Sequence, residues 1–168
     1  MPEDFNENSS EALAPWALSV ARDRKVGALA TLSNHRPGYP FVSVTPFVLD
    51  GRNQPVFLMS SLAVHTNNIA HNPKASLFVS EEDDGQGGTF AAARANLLGE
   101  VHAVAEAEVA ELRAAYLAEH PKAAVWAGFG DFRLYRMEIA DIYFVGGFGR
   151  MGYITPEDFA GARPEEAG

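Results

Sequence analysis

Apolar positions along this chain change period several times, and each change marks an element. From Leu13 the residues Leu13, Trp16, Ala17 and Val20 recur at helical spacing, with Pro15 in the first turn where its missing N–H is tolerated. A short amphipathic helix ending near Arg24 is expected. Val26 to Leu32 is an apolar run closed by Ser33-Asn34-His35-Arg36-Pro37-Gly38, a dense turn signal that makes it a first strand. Phe41 to Leu49 sets Val42, Val44 and Val48 on one parity and Ser43 and Thr45 on the other, which is the pattern of a half-buried strand. Asp50-Gly51 turns it into Pro55 to Ser60 as a hairpin partner. Ala63 to His71 reads as a small helix stopped by Asn72-Pro73, and Ala75 to Ser80 as a fourth strand.

In the second half, Glu81-Glu82-Asp83-Asp84-Gly85-Gln86-Gly87-Gly88 has too little apolar content to pack and is expected as an exposed loop. Thr89 to Ala105 supplies one long strand bent at Gly99. Val109, Leu112, Tyr116 and Leu117 repeat at i, i+3, i+7 and i+8, so Glu106 to His120 is the clearest helix. Phe132 to Val145 closes the sheet. The strands come in runs without strict βα alternation, which predicts a mainly β (α+β) fold: a six-stranded antiparallel barrel, closed or partly closed, with helical decoration. Residues 1–12 read as a flexible lead, 13–155 as the domain and 156–168 as a polar tail that frays.

Charge narrows the range of partners. The 168 residues carry 13 Lys plus Arg against 22 Asp plus Glu, and a net charge of −9 repels a phosphate backbone. Nucleic acid is therefore excluded as a main partner, and any anionic ligand needs a local cluster of donors. There is no cysteine, so disulfides, thiolate metal sites and thiol nucleophiles are absent. Met1 to Ser10 has no basic and apolar leader pattern, and no apolar run nears the ~20 residues that span a bilayer. The expectation is a soluble, cytoplasmic chain that does not enter a membrane.

Two places could carry chemistry. Ser60-Ser61-Leu62-Ala63-Val64-His65-Thr66 brings hydroxyls and an imidazole to the start of a short helix, where unpaired N–H groups and the positive dipole end favour a phosphate. Alternatively, Thr66 is simply the helix cap and the serines are turn residues. Arg94 is the only cation between Lys74 and Arg113, set in an apolar stretch, so its guanidinium needs a partner: a carboxylate or a ligand oxygen. Gly147-Phe148-Gly149-Arg150-Met151-Gly152 spells G-x-G-x-x-G, but the helix and parallel strand of a dinucleotide fold do not follow it. Those glycines instead allow a tight turn. No catalytic or metal-binding motif is present, which suits a cofactor that brings its own reactivity.

Ser60-Ser61-Leu62-Ala63-Val64-His65-Thr66-Asn67-Asn68-Ile69 running into Asn72-Pro73-Lys74-Ala75-Ser76-Leu77, with Arg94 to Gly99 and Val145-Gly146-Gly147-Phe148-Gly149, resembles the pyridoxamine 5′-phosphate oxidase-like FMN-binding split-barrel superfamily. Within it the likeness is to the haem-utilisation (HugZ-type) and CREG-like branch, over about residues 13–155. The resemblance implies an FMN-binding flavoprotein, an oxidoreductase acting on a small molecule as a homodimer with its cofactor between subunits. Phe41, Ser43, Val44 and Thr45 would then border the flavin, and Ser60, Ser61, His65 and Thr66 would surround its phosphate. His65 falls where the oxidases carry a phosphate-binding lysine, and Arg94 near their flavin-contacting glutamine. The alternatives it carries are haem binding or breakdown and a non-catalytic CREG-like interaction module. FMN is placed ahead of haem because Tyr153 to Gly168 holds no histidine to match the iron ligand of the haem-degrading relatives.

Overall fold

The computed structural model describes residues 6–82, 92–147 and 149–164. Among these the order is α1 (Ser10–Asp23), β1 (Val26–Leu32), β2 (Pro40–Pro46), β3 (Val48–Leu49), β4 (Pro55–Ser60), α2 (Val64–His71), β5 (Lys74–Ser80), β6 (Arg94–Ala103), α3 (Glu106–Glu119), a 3₁₀ helix (Pro121–Val125), β7 (Phe132–Val145), β8 (Met151–Ile154) and α4 (Pro156–Gly161). The strands form one antiparallel sheet in the order β2-β1-β5-β6-β7-β4-β3, with β8 added alongside β7. Consecutive strands β2 and β3 therefore stand at opposite ends of the sheet. Only Phe47 separates them, so the sheet curls back toward itself as a split barrel.

This crossing explains why the run from Phe41 to Leu49 is two strands and not one. Pro46 has no N–H to continue a ladder, and Phe47 swings into the core at 2% exposure. The main core fills the space between the concave sheet face and α1. Leu13, Leu18, Leu29, Leu77, Leu97, Ile142 and Phe144 are fully buried there, each worth about 1.5–3 kcal/mol of transfer free energy. A second cluster sits on the far side of β4, where Val56 and Leu58 meet Leu112 and Tyr116 of α3. With both faces covered, β4 needs the unbroken apolar run Val56-Phe57-Leu58-Met59.

Polar groups pin the turn between β3 and β4. Arg136 forms ion pairs with Asp50 at 2.8 Å and with Glu108 at 2.7 Å. Asp50 also accepts the Arg52 and Gln54 N–H groups. Asn53, with a left-handed φ of 59°, accepts from Arg22 and donates to the Phe159 carbonyl, joining this turn to both terminal helices. The bend expected at Gly99 is a β-bulge: Leu98 pairs with Asp141 but Gly99 with Ile139, leaving one extra residue on β7. A Cβ at Gly99 would run into the Glu138 carbonyl.

Residues 8–12 and 155–161 are more structured than their polarity suggests. Ser9 caps α1 by accepting the Ala12 N–H, and Asn8 bonds the Gly149 carbonyl and the Met151 N–H, so the residues from Asn8 to Ala12 belong to the fold. At the other end, Thr155 caps α4 with Pro156 in its first turn, and Ile154 and Phe159 are fully buried. Two apolar residues in a polar segment are enough to dock it. The acidic-loop residues 83–88 and Phe148 lie outside the described residues.

Phe159→Ala should lower the free energy of unfolding by about 3–5 kcal/mol in urea titration with an unchanged m-value. A loss below about 0.5 kcal/mol would mean that α4 is not part of the core.

Candidate functional site

On β2 the concave parity holds Phe41, Ser43 and Thr45, in register with Thr31, Leu29 and Gly27 of β1, and α2 lies against this edge. Ser43 Oγ is 3.2 Å from His65 Nδ1 and 3.4 Å from Thr45 Oγ1. Burial pushes the His65 pKa below its usual value, so the ring is neutral at pH 7. Thr66 does not cap the helix. The N-cap is Ala63, which has no side chain to offer, while Thr66 lies in the first turn, 5% exposed, with its Oγ1 unpartnered. Ser60 Oγ donates to the Asp131 carboxylate and accepts the Leu62 N–H, and the Ser61 N–H donates to the Asp131 carbonyl.

Three of the nine expected residues therefore meet: Ser43, Thr45 and His65, with Thr66 following His65 in α2. Phe41 shares their strand face, and Ser60 and Ser61 adjoin them but are tied to Asp131. Val44 points to the opposite face and is 76% exposed. Arg94 does not join the group. It pairs in register with Ser80 and Val145, on the parity opposite to the buried Ala95 and Leu97, and strands β1 and β5 lie between it and β2. An anion at α2 would meet uncapped N–H groups, but the Asp131 carboxylate is bonded to the adjoining serine and would oppose it.

Arg94 instead stands on the convex face of the sheet, in a cavity of about 380 Å³ lined by Phe78, Arg94, Asn96, Tyr143, Val145 and Met151. Tyr153 extends it, its ring 5.0 Å from that of Tyr143. Farther along the same face Val42 and Val44 are exposed. Arg94 donates to the Ala92 carbonyl at 3.1 Å, and among the described residues no carboxylate pairs with it. A cation amid flat apolar side chains suits a planar ligand with an acidic edge. The sequence signal for this surface is the outward parity of Phe78, Tyr143 and Tyr153, which fits neither a solvated face nor the core. Among the described residues, no group of three or more His, Asp or Glu side chains is placed to hold a metal ion.

The family model for the CREG β-barrel matches residues 8–161. The chain belongs to the CREG β-barrel family. That family lies in the haem-utilisation branch of the pyridoxamine 5′-phosphate oxidase-like split-barrel superfamily. The chain is 37% identical over 141 residues to the chloroplastic haem oxygenase HOZ of Arabidopsis thaliana, covering 82% of this chain and 42% of that protein. A haem-binding protein of Mycobacterium smegmatis superposes with a TM-score of 0.83 at 32% identity, over 90% of this chain and 61% of that one. This CREG-family chain thus spans less than two thirds of both relatives. A FAD-binding protein of Mesorhizobium loti shares the fold at 17% identity, with a TM-score of 0.60 over 75% of this chain and 88% of that one. No helix among the described residues is long and apolar enough to cross a membrane.

The lowered His65 pKa gives stability a pH dependence. A histidine that charges less readily when folded binds fewer protons than its unfolded form, so stability is complete above the unfolded value near 6.5 and is lost as pH falls through the folded value. His65→Gln should flatten the fall in urea midpoint between pH 7 and pH 5. An unchanged slope would show that His65 carries none of it.

Proposed function

We propose that this CREG-family chain binds haem on the convex face of its sheet. The observation that carries this reading is Arg94: a guanidinium with no carboxylate partner among the described residues, set among Phe78, Tyr143 and Met151. Porphyrin is a planar apolar body with carboxylates on one edge. The aromatic side chains would take the ring, and Arg94 would hold a propionate through charge-assisted hydrogen bonds. When bound, haem supplies redox-active iron, and the similarity to a haem oxygenase makes oxidative haem breakdown the activity to assay. Haem moves ahead of FMN because two relatives at more than 30% identity, the Arabidopsis thaliana haem oxygenase and the Mycobacterium smegmatis haem-binding protein, are haem proteins.

A ligand lying on an open sheet face is covered on one side only. A second copy of the chain, packing through Val42, Val44 and Tyr153, would cover the other side and would make the protein a homodimer with its cofactor between subunits.

One observation favours FMN as a second reading. The uncapped start of α2 offers backbone N–H donors to a phosphate at a site separate from Arg94, and the Thr66 hydroxyl is buried and unpartnered in its first turn. The first reading predicts a saturable Soret band on haem titration, weakened about tenfold in affinity by Arg94→Ala with an unchanged urea midpoint. No Soret change, together with flavin retained through purification and lost in Thr66→Val, would replace haem with FMN. Val44→Asp should convert the dimer to a folded monomer in sedimentation; a monomeric wild type would remove the dimer.

A further inference from the structure

A second cavity, of about 480 Å³, lies between β4, α3 and the 3₁₀ helix and shares no lining residue with the Arg94 cavity. Its walls include Pro46, Leu58, Tyr116, Trp126 and Phe132, with Lys122 among its polar residues. Its volume falls in the range of small-molecule sites, and its apolar walls with few polar groups match their usual composition. Trp126 is 38% exposed, so part of this large residue is open to solvent.

The charges here are unevenly committed. Glu119 is ion-paired with Lys25 at 3.3 Å, and Lys25 also donates to the Glu119 carbonyl. His120 Nε2 is 2.9 Å from the Phe47 carbonyl; as a carbonyl only accepts, this nitrogen carries the hydrogen and the ring is fixed in place. Burial pushes the Tyr116 phenol up to about 12, so that wall stays neutral. Lys122 has no ion-pair partner among the described residues and is the charge left over.

We infer that this cavity is a second ligand site, separate from the proposed haem face, for a small aromatic carboxylate whose rings lie against Trp126 and Phe132 and whose acid group meets Lys122. The ring system contributes apolar burial, and Lys122 distinguishes an acid from its neutral counterpart. No group is transferred at this site.

The test uses the full chain carrying Trp16→Phe, which leaves Trp126 as the only one of the two tryptophans and hence the sole indole reporter. 2-Naphthoate should quench its fluorescence saturably, and 2-naphthylmethanol should bind about tenfold more weakly. Lys122→Gln, a change at an exposed position, should remove that preference while leaving naphthylmethanol binding unchanged. Naphthoate should still bind when haem is present. Absence of saturable quenching at millimolar naphthoate, an unchanged acid preference in Lys122→Gln, or displacement by haem would each overturn the inference.

Discussion

The rest of the structure depends on one constraint: a single residue, Phe47, must carry the chain from one edge of the sheet to the other. With β2 and β3 at opposite ends of the strand order and no slack between them, the sheet has to curl. Curling makes one face concave, and α1 and α4 fill it with an apolar core. The other face is convex; α3 covers it over β4, and it is left open over β2, β1, β5, β6 and the end of β7. Its outward side chains would ordinarily be polar, yet Val42, Val44, Phe78, Tyr143 and Tyr153 occupy it.

That separation of faces assigns different chemistry to the two regions singled out along the chain. His65 belongs to the concave edge, where Ser43 orients its ring and burial keeps it neutral. Arg94 belongs to the convex face, where it is the cation of an apolar surface. A single flavin reaching from His65 to Arg94 of the same subunit would have to pass through the sheet. Placing an amphiphilic ring on the convex face removes that conflict and needs only residues that already point there. The charge of the whole molecule does not prevent this, because the local field at Arg94 is set by its immediate neighbours.

Much of the fold was legible in the sequence because period and turn chemistry agree. Val26 to Leu32, Phe132 to Val145 and the α3 segment follow their patterns closely, and the bend at Gly99 follows from a glycine inside a strand. In the G-x-G-x-x-G segment, Gly147 and Gly149 lie between β7 and β8 at positive φ, while Met151 and Gly152 already belong to β8. What was hidden depends on tertiary contact. Phe47 looks like one more strand residue until its partners are known, and Phe159 looks like an isolated apolar residue in a polar tail. At the candidate sites, residue types were readable but sides were not. Parity within β6 sets Arg94 opposite Leu97, but nothing local says which side meets the core. Asp131, which occupies Ser60, is 71 positions away in sequence and carries no motif.

The central claim concerns where a haem lies, and paramagnetic iron reports position directly. Amide spectra recorded with and without ferric haem should lose intensity along β6, the end of β7 and β8, around Arg94, Tyr143 and Tyr153, while α2 stays unchanged. Losses confined to α2 and β2, around His65, would contradict the account.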